Sequence, residues 1–368
     1  MTTVVKGLDL ARAFFHLAVQ PIVSRRFPGL RYSAALLGSG SEVLGYDDAV
    51  SADHHWGPRA MLFLAPADYG ACAERLNQVL AQELPYHFMG YATNYSAPKT
   101  EDGDHGTQLL EEISTGEVNH RVEILTLDGY LRTYLGIAAD QAISAADWLS
   151  LPQQKLLSFT SGEVFHDELG LQDIRNRFSY YPRDVWLYLL ACGWSRIGQD
   201  EHLAPRAGSV GDELGSALIA GRLLRSIILL CFLYERRYAP YPKWLGTAFA
   251  ELSCAKELAP ILRSAQTGET WRERERRLCA AYEALNRLHN ESGLTAPVRP
   301  AVQDFHGRGF RVSNAWRYIE LLLAEIKTPE VRAIAEQSLI GSIDLFSDNT
   351  DLREAVRLRG KIASLYSP

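Results

Sequence analysis

Paired cysteines are missing from this 368-residue chain: Cys72, Cys192, Cys231, Cys254 and Cys279 lie far apart, with no CxxC and an odd total. That spacing suggests neither a zinc site nor a disulfide framework, and it fits a reducing cytoplasm. Long apolar runs are also missing. The longest, Ile227 to Tyr234 within Gly221 to Arg237, falls far short of the roughly twenty residues a membrane span requires, and Arg222 and Arg225 precede it, so no transmembrane segment is expected. Ala11 to Val23 is apolar, but Asp9 precedes it and Pro21 and the Arg25-Arg26 pair interrupt or bound it; an amphipathic first helix is expected rather than a signal peptide. Positive charge is not in excess. The formal net charge of −6 argues against a nucleic-acid surface built on bulk electrostatics, while leaving room for local basic patches that hold phosphate. No repeat of fixed period and no low-complexity tract is present.

What is present suits two domains, since 368 residues exceed the usual single core and 47% hydrophobic residues can bury one comfortably. Strand and helix signals alternate as far as about residue 140: strand 31–37, strand 58–64, helix 67–83, strand 86–94, strand 120–127, then a helix from Gly129. From Leu151 onward strand signals almost vanish. Apolar residues there recur at helical spacing in 183–200, 210–237, 244–264, 270–290, 314–326, 330–340 and 350–364, with Trp186, Tyr188, Trp194, Phe232 and Tyr234 as core. The expected fold class is α+β: an N-terminal α/β domain with a mixed sheet over residues 1–145, then an all-helical bundle over 146–368.

The densest chemistry lies in LGSGSEVLGYDDAVSADHHWGPR, Leu37 to Arg59. Gly38-Ser39-Gly40-Ser41 follows a buried strand and leads to a predicted helix beginning near Glu42, whose backbone N–H groups would attract phosphate. Asp53 and His55 come next, on an extended segment running into Ala60 to Leu64, where residues two apart share a face. Taken singly, the glycine-serine pair reads as a turn, Asp53 as a cap and His55 as an ordinary histidine. The conjunction is what suggests a site. Glu101-Asp-Gly-Asp-His-Gly106 reads as an exposed loop, and Trp271 to Arg277 (WRERERR) as an exposed, ion-paired helix.

These residues resemble the DUF4037 family of predicted nucleotidyltransferases, within the polymerase-beta-like nucleotidyltransferase superfamily. The superfamily pattern is a Gly-Ser turn, an Asp-x-Asp or Asp-x-Glu, and a third carboxylate on a later strand. Gly38-Ser39 match the turn, Asp53 matches the first carboxylate, His55 stands at the second, and Glu123 in His120-Arg-Val-Glu-Ile-Leu-Thr-Leu127 best matches the third, with Asp128 in reserve. The likeness continues through Tyr181 to Leu190, His202 to Arg206, Val210 to Gly215 and Tyr238 to Phe249, which look like the family's helical part.

The resemblance implies transfer of a nucleoside monophosphate from an NTP, ATP first, with Mg²⁺ or Mn²⁺ held by Asp53, His55 and Glu123 and phosphates met by Gly38, Ser39, Ser41 and Arg59. Mg²⁺ prefers hard oxygen ligands, so a histidine at the second position implies one metal, a softer ion such as Mn²⁺, or binding without turnover. In kanamycin-type nucleotidyltransferases, which share the two-domain plan, a carboxylate outside the metal set acts as general base. Glu213 resembles it by context, and equally reads as an acidic residue favoured at a helix start. Arg222 and Arg225, within an apolar helix, either clamp phosphate or pair with buried carboxylates. Lys243 either reaches a phosphate across a domain cleft or is a helix-start lysine. The expected activity is a cytoplasmic nucleotidyltransferase acting on a hydroxyl- or phosphate-bearing small molecule, with no membrane partner and with charge weighing against nucleic acid. Its alternatives are an inert nucleotide-binding or regulatory protein, and transfer onto a protein or tRNA end.

Overall fold

The apolar alternation of the N-terminal third folds into a four-stranded mixed sheet. In the computed structural model, which describes residues 5–48, 50–51, 56–98 and 107–367, its main strands are β1 (Tyr32–Leu36), β2 (Arg59–Leu64), β5 (Arg121–Leu125) and β6 (Glu163–Asp167). They lie in the order β5-β2-β1-β6, with β1 antiparallel to both neighbours and β2 parallel to β5. The strand expected over 86–94 is instead a tight pair of two-residue strands, β3 (His87–Phe88) and β4 (Tyr91–Ala92). β1 and β2 are buried along their whole length. Ala34, Ala60, Leu62, Leu64 and Val122 face one core together with the helix Pro66–Glu83 and the N-terminal helix.

That N-terminal helix runs from Gly7–Phe14 through a π-helical turn, Phe15–Val19, into Gln20–Arg26. Pro21 explains the turn: it has no N–H to give the carbonyl four residues back, and its ring would crowd that carbonyl. The wider turn ahead of it lets the helix continue and keep Leu10, Phe14, Phe15, Val19 and Ile22 on one buried face.

The chain divides into two compact units, one of Met1–Ala142 with Lys155–Ser179, the other of Ile143–Gln154 with Tyr180–Pro368. A single boundary at residue 145 does not describe this division, because β6 lies beyond it and pairs with β1, Ala34 opposite His166. The sequence reading has no strand there. Arg175 secures the returning segment by donating to the carbonyls of Phe159 (3.2 Å), Thr160 (2.7 Å) and Ser161 (2.8 Å).

The second unit is built on the helices Arg183–Asp200, Glu213–Tyr234, Ala255–Gln266, Trp271–Glu291 and Ala315–Ala324, with a small hairpin of β7 (Val302–Asp304) and β8 (Arg311–Ser313) that the sequence reading also lacks. Trp186, Tyr188, Trp194, Phe232 and Tyr234 are all buried, as expected of bundle core. Trp194 stacks on Tyr318 at 3.8 Å and donates to the Tyr234 hydroxyl at 2.7 Å, which lies 2.9 Å from His289 Nδ1. Burial holds His289 down at about 4, so its ring is neutral and accepts the Tyr234 proton while Nε2 donates to Thr295 at 2.8 Å. The helix Glu213–Tyr234 is long and apolar enough to cross a membrane, but half of that stretch is buried inside the protein, as in a core helix.

Candidate functional site

β1 ends in the glycine-serine turn, and the turn is braced from the neighbouring strand. Gly38 has φ +83°, and a Cβ there would lie 2.8 Å from the Tyr130 hydroxyl; Gly40 has φ +142°, and a Cβ would lie 2.5 Å from both Arg59 Nη2 and Glu42 Oε2. Only glycine fits this path without strain. Arg59, first residue of β2, donates from Nη2 to the Ser39 carbonyl at 2.8 Å and from Nε to Glu42 at 2.8 Å; both members of the ion pair are buried, while Ser39 itself is exposed. The expected helix at Glu42 is absent. Residues 41–45 form a turn in which Tyr46 N–H donates to the Ser41 carbonyl at 2.9 Å, because Gly45, at φ +77°, departs from helical geometry and Glu42 is drawn to Arg59. Phosphate attraction at this turn therefore has no helix dipole behind it.

Glu123 lies on the same sheet face as Arg59. In the parallel pairing Arg59 stands opposite Arg121 and Met61 opposite Glu123, while Ala60, Leu62, Val122 and Ile124 point to the core side. Glu123 is exposed, and its charge reaches Arg59, Arg121 and Tyr130. Burial works against the charge on Arg59, and Glu42, Tyr95 and Glu123 outweigh it, holding the guanidinium above its ordinary value. Arg121 is depressed, by burial first and then by Arg59, which stands opposite it. Two arginines directly opposite on adjacent strands repel, and Glu42 and Glu123 offset that repulsion. The buried Tyr95 hydroxyl is pushed up by burial, against the pull of the same two arginines.

Glu42 and Arg121 are absent from the sequence-derived set. Arg121 is visible in hindsight, two residues before Glu123 and so on its face; the Glu42–Arg59 pair joins residues with no periodic relation. Asp53 and His55 lie outside the described residues, as does the Glu101–Gly106 loop. The segment between them and β2 is not strand, and Gly57 has φ +138°, so strand alternation does not extend back through it. On either side of that stretch Asp47 and Trp56 are tied together, Trp56 Nε1 donating to Asp47 at 3.1 Å. Asp128, the reserve carboxylate, accepts from Arg132 at 2.6 Å and from Ala139 N–H at 2.9 Å and so organises the helix Leu127–Tyr134.

Glu213, Arg222, Arg225 and Lys243 belong to the second unit. Glu213 opens the helix Glu213–Tyr234 behind the Asp212 cap, and its carboxylate is bonded to Arg274. Arg274 is buried and also donates to the Gly268 carbonyl at 2.8 Å, which corrects the reading of Trp271 to Arg277 as a wholly exposed, ion-paired face. Arg222 pairs with buried Asp200 at 3.0 Å. Arg225 acts on buried Asp344, which Arg353 also holds. Arg222 thus shows the pairing with a buried carboxylate, and Arg225 lies in the field of one. Lys243 is exposed, with Nζ 4.8 Å over the Trp244 ring.

The protein is thus an α+β chain whose first unit carries a mixed sheet with a braced Gly-Ser turn and whose second is largely helical. Residues 148–245 match the family described as "Domain of unknown function (DUF4037)", so the family resemblance holds over that stretch. The matched residues include Glu213, Arg222, Arg225 and Lys243 but not the turn, Asp53 or Glu123. No curated protein and no solved structure matches the chain.

Proposed function

We propose that the chain is a metal-dependent nucleotidyltransferase of the cytoplasm, moving a nucleoside monophosphate from an NTP, ATP first, to a hydroxyl- or phosphate-bearing small molecule. One observation carries the reading: exposed Glu123 shares a sheet face with the buried arginine that braces the Gly-Ser turn, so a carboxylate and a phosphate-accepting backbone lie in one electrostatic neighbourhood. Mg²⁺ or Mn²⁺, when bound, supplies the charge that neutralises a triphosphate. Among the described residues Glu123 is the oxygen donor that fits, since Glu42 is committed to Arg59. Asp53 and His55 would complete the set. Arg59 acts by holding the turn rather than by reaching outward, and Ser39 and Ser41 present the turn itself.

A second reading, an inert nucleotide-binding or regulatory protein, is favoured by His55 at the second acidic position. A labelled-NTP assay across Mg²⁺, Mn²⁺ and Co²⁺ separates the two. Pyrophosphate release supports transfer; nucleotide binding without pyrophosphate under any metal or acceptor pool supports the inert protein. Gel analysis after incubation with labelled ATP exposes a protein or tRNA acceptor. His55→Asp is expected to strengthen Mg²⁺ binding, and unchanged affinity would place residue 55 outside the coordination sphere.

A further inference from the structure

We infer that the second unit holds a separate binding site for a small organic cation, an amine or quaternary ammonium with an apolar arm, in the cavity between the hairpin β7–β8 and the helices Arg183–Asp200 and Ala315–Ala324. The inference is independent of the nucleotide site. The cavity is about 510 Å³, within the range of small-molecule sites. Its acidic lining groups are Glu201 and Asp304, beside His306, Ser313, Phe305 and Trp316, and neither lysine nor arginine lines it. An anion would face two carboxylates there, with no lysine or arginine to meet it.

Three features point to a ligand rather than to packing. Trp316 is 73% exposed at the cavity, a cost in apolar hydration that a cation over the indole face would offset. Phe305 is already engaged, by His202 at 4.7 Å and Arg308 at 5.6 Å, so Trp316 is the open platform. Ser313 is buried, and its hydroxyl makes no bond of proper geometry, although it lies close enough to Glu201 to restrain that group's titration. Glu201 is itself buried, accepting the Ser313 N–H at 2.6 Å.

No cation pairs with Glu201 among the described residues. Cys279 and Tyr282 from the helix Trp271–Glu291 and Tyr318 from Ala315–Ala324 lie in its field, and burial raises all three, so they are neutral. Its neighbour Asp200 is matched by Arg222. Burial pushes the Glu201 carboxyl up to about 7, which a bound cation would reverse by favouring the carboxylate.

The test is calorimetric titration of the full chain at neutral pH with benzylamine, choline and spermidine, and with inorganic phosphate and sorbitol in parallel. At least one of the three cations is expected to bind at millimolar concentration or tighter, and phosphate and sorbitol are not. Trp316→Ala, a surface change that should leave the melting temperature unaltered, is expected to weaken binding about fivefold, and Glu201→Gln to weaken it further. The inference is overturned if no cation binds, if phosphate or sorbitol binds as well, or if either variant binds as the wild type does.

Discussion

Glu201→Gln is expected to change the pH dependence of stability in a direction fixed by burial. The Glu201 carboxyl lies at about 7, against an ordinary value of 4.5, with burial as the leading cause. A raised value means that the folded state holds the proton more tightly than the unfolded state. Its contribution is therefore fully present below about 4.5 and is lost as the pH rises through about 7. The gap corresponds to about 3 kcal/mol. His289 acts in the opposite sense. Burial depresses it from 6.5 to about 4, so its contribution is present above 6.5 and is lost as the pH falls towards 4. Between these limits the two slopes oppose each other and flatten the wild-type curve. Glutamine removes only the Glu201 slope and still accepts the Ser313 N–H. The variant should match the wild type most closely in acid and exceed it by about 3 kcal/mol near pH 8. Urea unfolding at several pH values measures the difference between the proteins, in which all other titrations cancel. A difference that does not change with pH would refute the reasoning.

Gly38→Ala places a Cβ at φ +83° and 2.8 Å from the Tyr130 hydroxyl; a loss of about 2 kcal/mol is expected in denaturant unfolding, and no loss would mean that the turn relaxes freely. Glu213→Ala leaves buried Arg274 without its half-exposed carboxylate and should cost about 1 kcal/mol in the same measurement, whereas a neutral result would show that the remaining carbonyl partners suffice. Tyr234→Phe deletes a hydroxyl that joins Trp194 to His289, with an expected loss of about 2 kcal/mol; a change within experimental error would show that the buried network adds little.

Much of the fold is legible because burial imposes periodicity. β1, β2 and β5 follow from short alternating or wholly apolar runs, and the helix Arg183–Asp200 from an apolar pattern that needs no partner to be recognised. β6 is not legible: Glu163–Asp167 is only half-buried at the sheet edge, so its side chains carry little contrast. The break between Pro242–Ala250 and Ala255–Gln266 likewise interrupts what the sequence presents as one helix over 244–264. At the candidate site, the Gly-Ser turn and Glu123 are readable from motif and alternation, but their coupling through Arg59 and Glu42 is not. Those two residues are 17 apart in sequence, and Glu213 and Arg274 are 61 apart, so long-range pairing alone determines what each charge does. An Arg in WRERERR looks solvated until tertiary packing buries it.

Pyrophosphate release from labelled ATP with Mg²⁺ or Mn²⁺, compared between the wild type and Glu123→Gln, tests the central proposal most directly. The account predicts release by the wild type and its fall to background in the variant, with the melting temperature preserved because Glu123 is exposed. Release undiminished in Glu123→Gln, or none from the wild type with any metal or acceptor, would contradict it.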